Sequence, residues 1–158
     1  MSSFYKHYQF CLAALILLLV VEVSASAIEP GCYRNKHFVV DYNEEREVEV
    51  EDLVLVETDQ DNSLHITFQF ISNNQHICSS PKLKTQKIES GYKISYSYLD
   101  WHPECVLIVT ETKNEITFLD QGNFCLKQFE CGVRSSITDV RFSLKEKVDL
   151  SNCTKLAS

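Results

Sequence analysis

"LHITFQFI", residues 64–71, puts Leu64, Ile66, Phe68 and Phe70 on one side of an extended chain and His65, Thr67 and Gln69 on the other. Successive side chains of a strand leave opposite faces, so this alternation reads as a half-buried β-strand. Outward from it the same period recurs. "YKISYSY" (92–98) sets Tyr92, Ile94, Tyr96 and Tyr98 against Lys93, Ser95 and Ser97, and "EITFL" (115–119) and "DVRFSL" (139–144) alternate again. "CVLIVT" (105–110) is apolar throughout and reads as a strand covered on both faces. Further strands are expected at 36–42, 48–56 and 82–88. The breaks carry turn chemistry in "DQDN" (59–62), "SNN" (72–74), "ESG" (89–91), "TKN" (112–114) and "DQGN" (120–123). No segment shows a helical period with caps. The expected fold is all-β, a small antiparallel β-barrel of about eight strands. Period alone does not separate barrel from sandwich, and the four glycines favour the barrel slightly.

The first residues bear on the compartment. A basic lead, an apolar run from Phe10 to Val21 and the small residues Ser24–Ala27 form the pattern of a secretory signal peptide over 1–27. Glu22 interrupts the run before it reaches the roughly 20 apolar residues that a spanning helix needs. Residues 28–158 then form one domain, secreted or periplasmic, with no membrane span.

Of seven cysteines, Cys11 falls in the leader, and Cys32, Cys78, Cys105, Cys125, Cys131 and Cys153 remain. An even number in an exported chain of this size implies a disulfide framework, with connectivity left open by sequence alone. The working set joins Cys125 to Cys131 across a hairpin of 115–124 with 132–144, Cys32 to Cys153 across the ends, and Cys78 to Cys105. Zinc is the rival, since "HIC" (76–78) and "HPEC" (102–105) offer two histidines and two cysteines. Neither stretch has the spacing of a structural zinc pair, and no cofactor is expected.

The net charge of −7 disfavours nucleic acid and anionic membranes and favours a basic protein partner. The densest run of acid is "DYNEEREVEVED" (41–52), where seven carboxylates face one arginine; it reads as a solvated strand and loop or, alternatively, as a docking surface. His37, His65, His76 and His102 read as surface or edge residues, and no nucleophile elbow, zinc helix or phosphate loop is present. The chain therefore reads as non-catalytic. "LDWHPEC" (99–105) is the one polar-aromatic cluster that could touch a partner, through Trp101 and His102 beside Glu104. "NCT" (152–154) is a glycosylation acceptor at Asn152 only in a eukaryotic source.

"CVLIVTETKNEITFLDQGNFCLKQFECGVRSS" (105–136), with its Cys-Gly-x-Arg segment, resembles the C-terminal half of a small exported bacterial β-barrel domain. That domain is allied to the lysozyme-inhibitor-like proteins of the envelope. "GCYRN" (31–35) and "HIC" (76–78) also fit its pattern. The resemblance implies a β-barrel that binds a cationic hydrolase such as lysozyme. The better-understood inhibitors insert a Ser-Gly-x-x-Tyr loop and a lysine-bearing loop into the enzyme's acidic cleft. Here Ser90 and Gly91 match, Ile94 stands where the tyrosine would be, and Lys113 precedes asparagine rather than glycine. On this reading Ser90, Gly91, Lys93, Trp101, His102 and Lys113 are the candidate partner-binding residues.

Two further functions fit an all-β exported domain. One is a carrier of a small hydrophobic ligand lined by Tyr92, Tyr96, Tyr98, Phe68 and Phe70, although a barrel this small is usually filled by its own side chains. The other is a secreted effector or structural protein with no enzyme target.

Overall fold

The computed structural model describes residues 28–132 and 135–156. The leader expected at 1–27, with Cys11, and Arg134 of the Cys-Gly-x-Arg segment lie outside the described residues.

The alternating stretches form two antiparallel sheets. The first contains β1 (Gly31–Asp41), β2 (Arg46–Thr58), β3 (Leu64–Ser72), β4 (His76–Ser79) and β5 (Leu83–Lys84), with the late strand β11 (Lys147–Val148) added beside β1. β4 and β5 both pair with the outer edge of β3, β4 opposite Gln69–Ser72 and β5 opposite His65 and Ile66. The second sheet runs β10 (Arg141–Ser143), β9 (Glu115–Asp120), β8 (Cys105–Glu111), β7 (Gly91–Tyr96) and β6 (Gln86–Ile88).

The chain passes from one sheet to the other at both margins. On one side only Thr85 separates β5 from β6, and its N–H and hydroxyl both donate to Leu64 O, at 2.9 and 3.0 Å. On the other, residues 144–146 carry the chain from β10 to β11. The hydrogen-bond ladders thus divide into two sheets linked by strands that change sheet. Among the described residues no helix is long and apolar enough to cross a membrane.

The inner faces are those the period assigns. Leu64, Ile66, Phe68 and Phe70 are buried, as are Tyr92 and Ile94. Phe68 stacks on Phe70 with centroids 4.4 Å apart, and Phe118, Phe129 and Phe142 close around them. Phe68 and Phe70, expected to line a ligand cavity, therefore pack against other rings instead. Tyr98, also expected there, is 61 % exposed. "CVLIVT" is buried on one face only: Cys105, Leu107 and Val109 point inward, while Val106 and Ile108 are half-exposed.

Three disulfides join Cys32 to Cys153, Cys78 to Cys131 and Cys105 to Cys125. The first is as expected. It fastens a terminal 3-10 helix, Leu150–Leu156, over Leu55 on the outer face of the first sheet. The pairings of Cys125 with Cys131 and of Cys78 with Cys105 are corrected. The stretch expected as a hairpin pairs only through Glu115–Thr117 with Arg141–Ser143. Between them the chain makes a short helix, α1 (Cys125–Gln128). Cys125, fully buried, faces β8, and Cys131 leaves on the side of β4. "CLKQFEC" (125–131) is thus bonded at one end to the second sheet and at the other to the first. It spans the margin where β4 and the end of β7 share no ladder. Cys78 and Cys105, the two sulfurs of the zinc reading at 76–78 and 102–105, are each bonded to another cysteine.

Candidate functional site

The topology separates the candidate residues. β7 runs away from Ser90 and Gly91, and β8 returns toward Lys113 in the turn before β9. The connection 97–104, with Trp101 and His102, lies at the other end of the same strands. At ~3.3 Å per residue, a strand as long as β7 (Gly91–Tyr96) sets the two ends roughly 15–20 Å apart. Ser90, Gly91 and Lys113 share one end and Trp101 and His102 the other. Lys93, between buried Tyr92 and Ile94, points off the outer face.

The Trp101 end is built on one buried amide. Gln128 is 1 % exposed. Its Oε1 accepts the N–H groups of Tyr98 at 2.7 Å and Leu99 at 2.8 Å. Its Nε2 lies within hydrogen-bonding distance of the carbonyls of Leu99 (3.2 Å), His102 (3.3 Å) and Pro103 (3.0 Å). A buried polar group is tolerated when its hydrogen bonds are made, and here they fix the shape of a whole loop. His102 N–H also donates to Leu99 O at 3.0 Å. On this loop Trp101 stands 76 % exposed, its indole 3.9 Å from the His102 ring, with exposed Tyr98 nearby in the chain.

A cavity of about 290 Å³ opens beside this loop, between Ser79–Pro81, where the chain leaves β4, and Tyr96 and Tyr98, where it leaves β7. Gln128, Phe129 and Glu130 also line it, and Tyr96 stacks on Phe129 with centroids 4.8 Å apart. Burial raises the Tyr96 hydroxyl pKa, with Tyr98 and the Glu130 charge adding to the rise. Asp100, Glu104 and Glu130 form no ion pair among the described residues, so this end presents unneutralised acid.

The acidic run 41–52 is more committed than its sequence suggests. Lys36 Nζ lies 3.1 Å from Glu51 and 3.6 Å from Glu49, and Arg34 reaches Glu51 and Glu146. Asp41 accepts the N–H of Asn43 and the Gln75 amide, and these bonds hold its pKa below the usual range. Asp52 points into the core at 3 % exposure and accepts the N–H of Ile71 at 2.7 Å. His37 Nε2 stands 3.1 Å from its other oxygen without hydrogen-bond alignment, so that pair is an electrostatic contact. Burial outweighs these partners and raises the Asp52 pKa.

The Ser90–Lys113 end holds two larger cavities, about 590 and 530 Å³, on either side of Glu29. Glu29 accepts the Tyr33 hydroxyl through its carbonyl at 2.7 Å and Lys147 through its carboxylate at 3.2 Å. Lys113 lines the first cavity. Ser90 and Gly91 lie outside both, in a turn where Gly91 at φ +139 approaches the Val109 carbonyl too closely for any side chain.

Among the described residues no three His, Cys, Asp or Glu side chains cluster as a metal site. His65 pairs with Asp59 at 3.0 Å, at a turn rather than in a cavity. No family model, curated protein or solved structure matches this chain.

Sequence reading located Trp101 but missed Gln128, Phe129 and Glu130. Gln128 carries no local signal, because its partners are backbone groups 25 to 30 residues earlier. Only its place between Cys125 and Cys131, in "CLKQFEC", marks the segment as held.

Proposed function

We propose that this chain is an exported, non-catalytic binding module that docks on a basic protein outside the cytoplasm through the end carrying Trp101. A cationic hydrolase such as lysozyme is the class of partner. In this reading the two sheets, of six and five strands rather than the eight expected, are the walls of a flattened barrel. Residues 1–27 are removed as a signal peptide, and the disulfides form in the secreted or periplasmic compartment.

The observation that carries it is the exposure of Trp101 on a loop held by Gln128. A tryptophan set in a fixed loop contributes a large apolar contact with little ordering left to lose on binding, which is the character of an interface hot spot. Asp100, Glu104 and Glu130 add the sign of charge that draws a basic partner. The Ser90–Lys113 end, where the resemblance to lysozyme inhibitors falls, lacks such an anchor.

The test is a titration of oxidised protein (28–158) against a panel of lysozymes and other basic extracellular proteins, with lysozyme turnover read in parallel. Binding at micromolar concentration or tighter, weakened by salt and lost in Trp101→Ala, is expected. A panel that neither binds nor loses activity would remove this reading.

A further inference from the structure

β1 and β2 pair along their whole length, from Gly31 opposite Val56 to Asp41 opposite Arg46. β3 accompanies β2 only between Leu53 and Thr58. The segment Arg46–Asp52 therefore has a paired strand on one side alone. The phase of the ladder fixes which groups face the other side. Arg34 N–H donates away from β2, to Glu146 O at 3.1 Å, and Val40 N–H also donates away from it, to Asn73 Oδ1 at 3.0 Å. Antiparallel partners alternate between pairs that exchange both bonds and pairs that turn them outward. Arg34–Leu53 and Val40–Glu47 are outward pairs, and Phe38–Glu49 between them is another. The N–H and C=O groups of Glu47 and Glu49 thus point to the edge that β1 does not cover.

The chain beyond β3 leaves this edge rather than running along it. Ile71 N–H, the next in line after Gln69, turns to the Asp52 carboxylate at 2.7 Å. Residues 73–75 then cross to the far edge of β1, where Asn73 meets Val40 and the Gln75 amide meets Asp41 at 3.1 Å. Among the described residues neither the Glu47 nor the Glu49 N–H has a hydrogen-bond partner. Both residues are exposed, and no proline or glycine interrupts 46–52.

An uncovered strand edge is a template for another chain, and charged side chains along it decide which chain can pair. A second copy added antiparallel about Glu49 would set Glu49 against Glu49 and Glu47 against Glu51. Like charges directly opposite each other are destabilising, so this edge rejects its own kind. A strand with lysine or arginine at those positions meets opposite charge instead. The hairpin already uses that chemistry on its covered side, where Lys36 of β1 stands opposite Glu51 and 3.1 Å from its carboxylate. Glu47 forms no ion pair among the described residues. Phe38, opposite Glu49 on the same face and 65 % exposed, offers an apolar surface to the stems of incoming cations.

We propose that an extended basic segment of a partner protein adds to β2 along Glu47–Glu49. It places lysine or arginine at alternate positions against the two glutamates and an apolar residue between them, beside half-buried Val48. The mode is strand addition, in which main-chain hydrogen bonds give affinity and alternate side chains give selectivity. The surface lies on the first sheet, apart from the Trp101 loop, and stands or falls independently of docking through that loop.

The probe is a capped seven-residue peptide alternating lysine with valine, and its control is the same peptide N-methylated at the lysines. The control keeps the charge and lacks the N–H groups that would face Glu47 and Glu49. Amide hydrogen exchange of the oxidised protein is followed by NMR. The Glu47 and Glu49 amides are expected to exchange freely in the unbound protein and to slow ~tenfold or more with the alternating peptide, but not with the control. Glu47→Lys, at an exposed position without an ion pair, is expected to weaken the peptide about three- to tenfold and to admit the matching glutamate–valine peptide. Trp101→Ala is expected to leave the protection unchanged. Should Glu47→Lys misfold, as near-ultraviolet circular dichroism would show, exchange in the natural chain decides alone. Glu47 and Glu49 amides unaffected at millimolar peptide overturn strand addition, whatever the lysozyme titration shows. Equal protection by the N-methylated control overturns it too. Protection that appears without peptide as protein concentration rises, with a dimer in sedimentation, would make a second copy the occupant and overturn the basic one.

Discussion

Gln128 and Leu99 exchange two hydrogen bonds: Oε1 accepts the Leu99 N–H at 2.8 Å, and Nε2 faces the Leu99 carbonyl at 3.2 Å. A side-chain amide here takes the place of a neighbouring strand. It ties the Trp101 loop to the segment 125–131, which is disulfide-bonded to both sheets. The shape of the exposed surface therefore depends on a residue that solvent does not reach.

Gln128→Leu keeps the volume and strips these bonds. The backbone groups of Tyr98, Leu99, His102 and Pro103 lose their partner, and buried polar groups left unpaired cost about 1–3 kcal/mol each where water cannot replace the bond. Part of the loop is exposed, so a total loss of ~2–4 kcal/mol in denaturant unfolding is expected. The chain has a single tryptophan, so its fluorescence anisotropy reads the loop directly and should fall. Unchanged anisotropy would show that the loop holds its shape without the amide.

The bridges should differ in weight. Cys32–Cys153 spans 121 residues and Cys105–Cys125 spans 20. In the chain-entropy account the longer closure stabilises more, by roughly 1.5 kcal/mol for this pair of lengths. Paired Cys→Ala variants, each unfolded in urea, should show that order. Peptide mapping under non-reducing conditions should recover Cys78 joined to Cys131. A Cys125–Cys131 peptide would restore the sequence-based pairing and refute the strap between sheets.

Asp52 and Asp59 should move stability with pH in opposite senses. The His65 hydrogen bond, followed by the Ser63 N–H, lowers the Asp59 pKa. The unfolded chain then binds the proton first as pH falls, so this contribution is present above the ordinary carboxylate pKa and is lost on acidification. Burial raises the Asp52 pKa, so the folded chain holds that proton longer, and stability declines as pH rises from the ordinary value through the folded one. Asp52→Asn keeps an acceptor for the Ile71 N–H without the buried charge. Its melting temperature should exceed the parent's at neutral pH, with the gain vanishing near pH 3.8, the ordinary aspartate value. A variant less stable than the parent at neutral pH would mean that the His37 contact outweighs desolvation.

Tyr33 is buried and near Glu29 and Glu111, and its pKa is pushed up to about 12, first by burial and then by those carboxylates. A phenolate titration followed by ultraviolet absorbance should show one late step that Tyr33→Phe removes. Because the folded pKa is the higher one, stability should fall as pH rises from 10 toward that value. A last step that survives the substitution would contradict the burial of Tyr33 beneath Glu29.

Strand alternation was legible because it is local: "LHITFQFI" and "YKISYSY" declare their inner faces within a few residues. The wrong disulfides and the overlooked Gln128 share a cause. "CLKQFEC" folds as a turn of helix whose partners are β4, β8 and the 97–104 loop, all distant in sequence. Nor does the charge run 41–52 disclose that Lys36 lies across the ladder from it, opposite Glu51, and that Arg34, opposite Leu53, reaches Glu51 diagonally. Trp101 was found through the local cluster "LDWHPEC" (99–105), and its opposition to Lys113 emerged only from strand direction.

The comparison that bears most directly on the docking end is calorimetric titration of lysozyme with the parent, Trp101→Ala and Lys113→Ala. Loss of at least ~tenfold in affinity for Trp101→Ala, with Lys113→Ala within about twofold of the parent, is expected. Affinity that survives the tryptophan change and collapses with the lysine change would place the contact at the opposite end and contradict it.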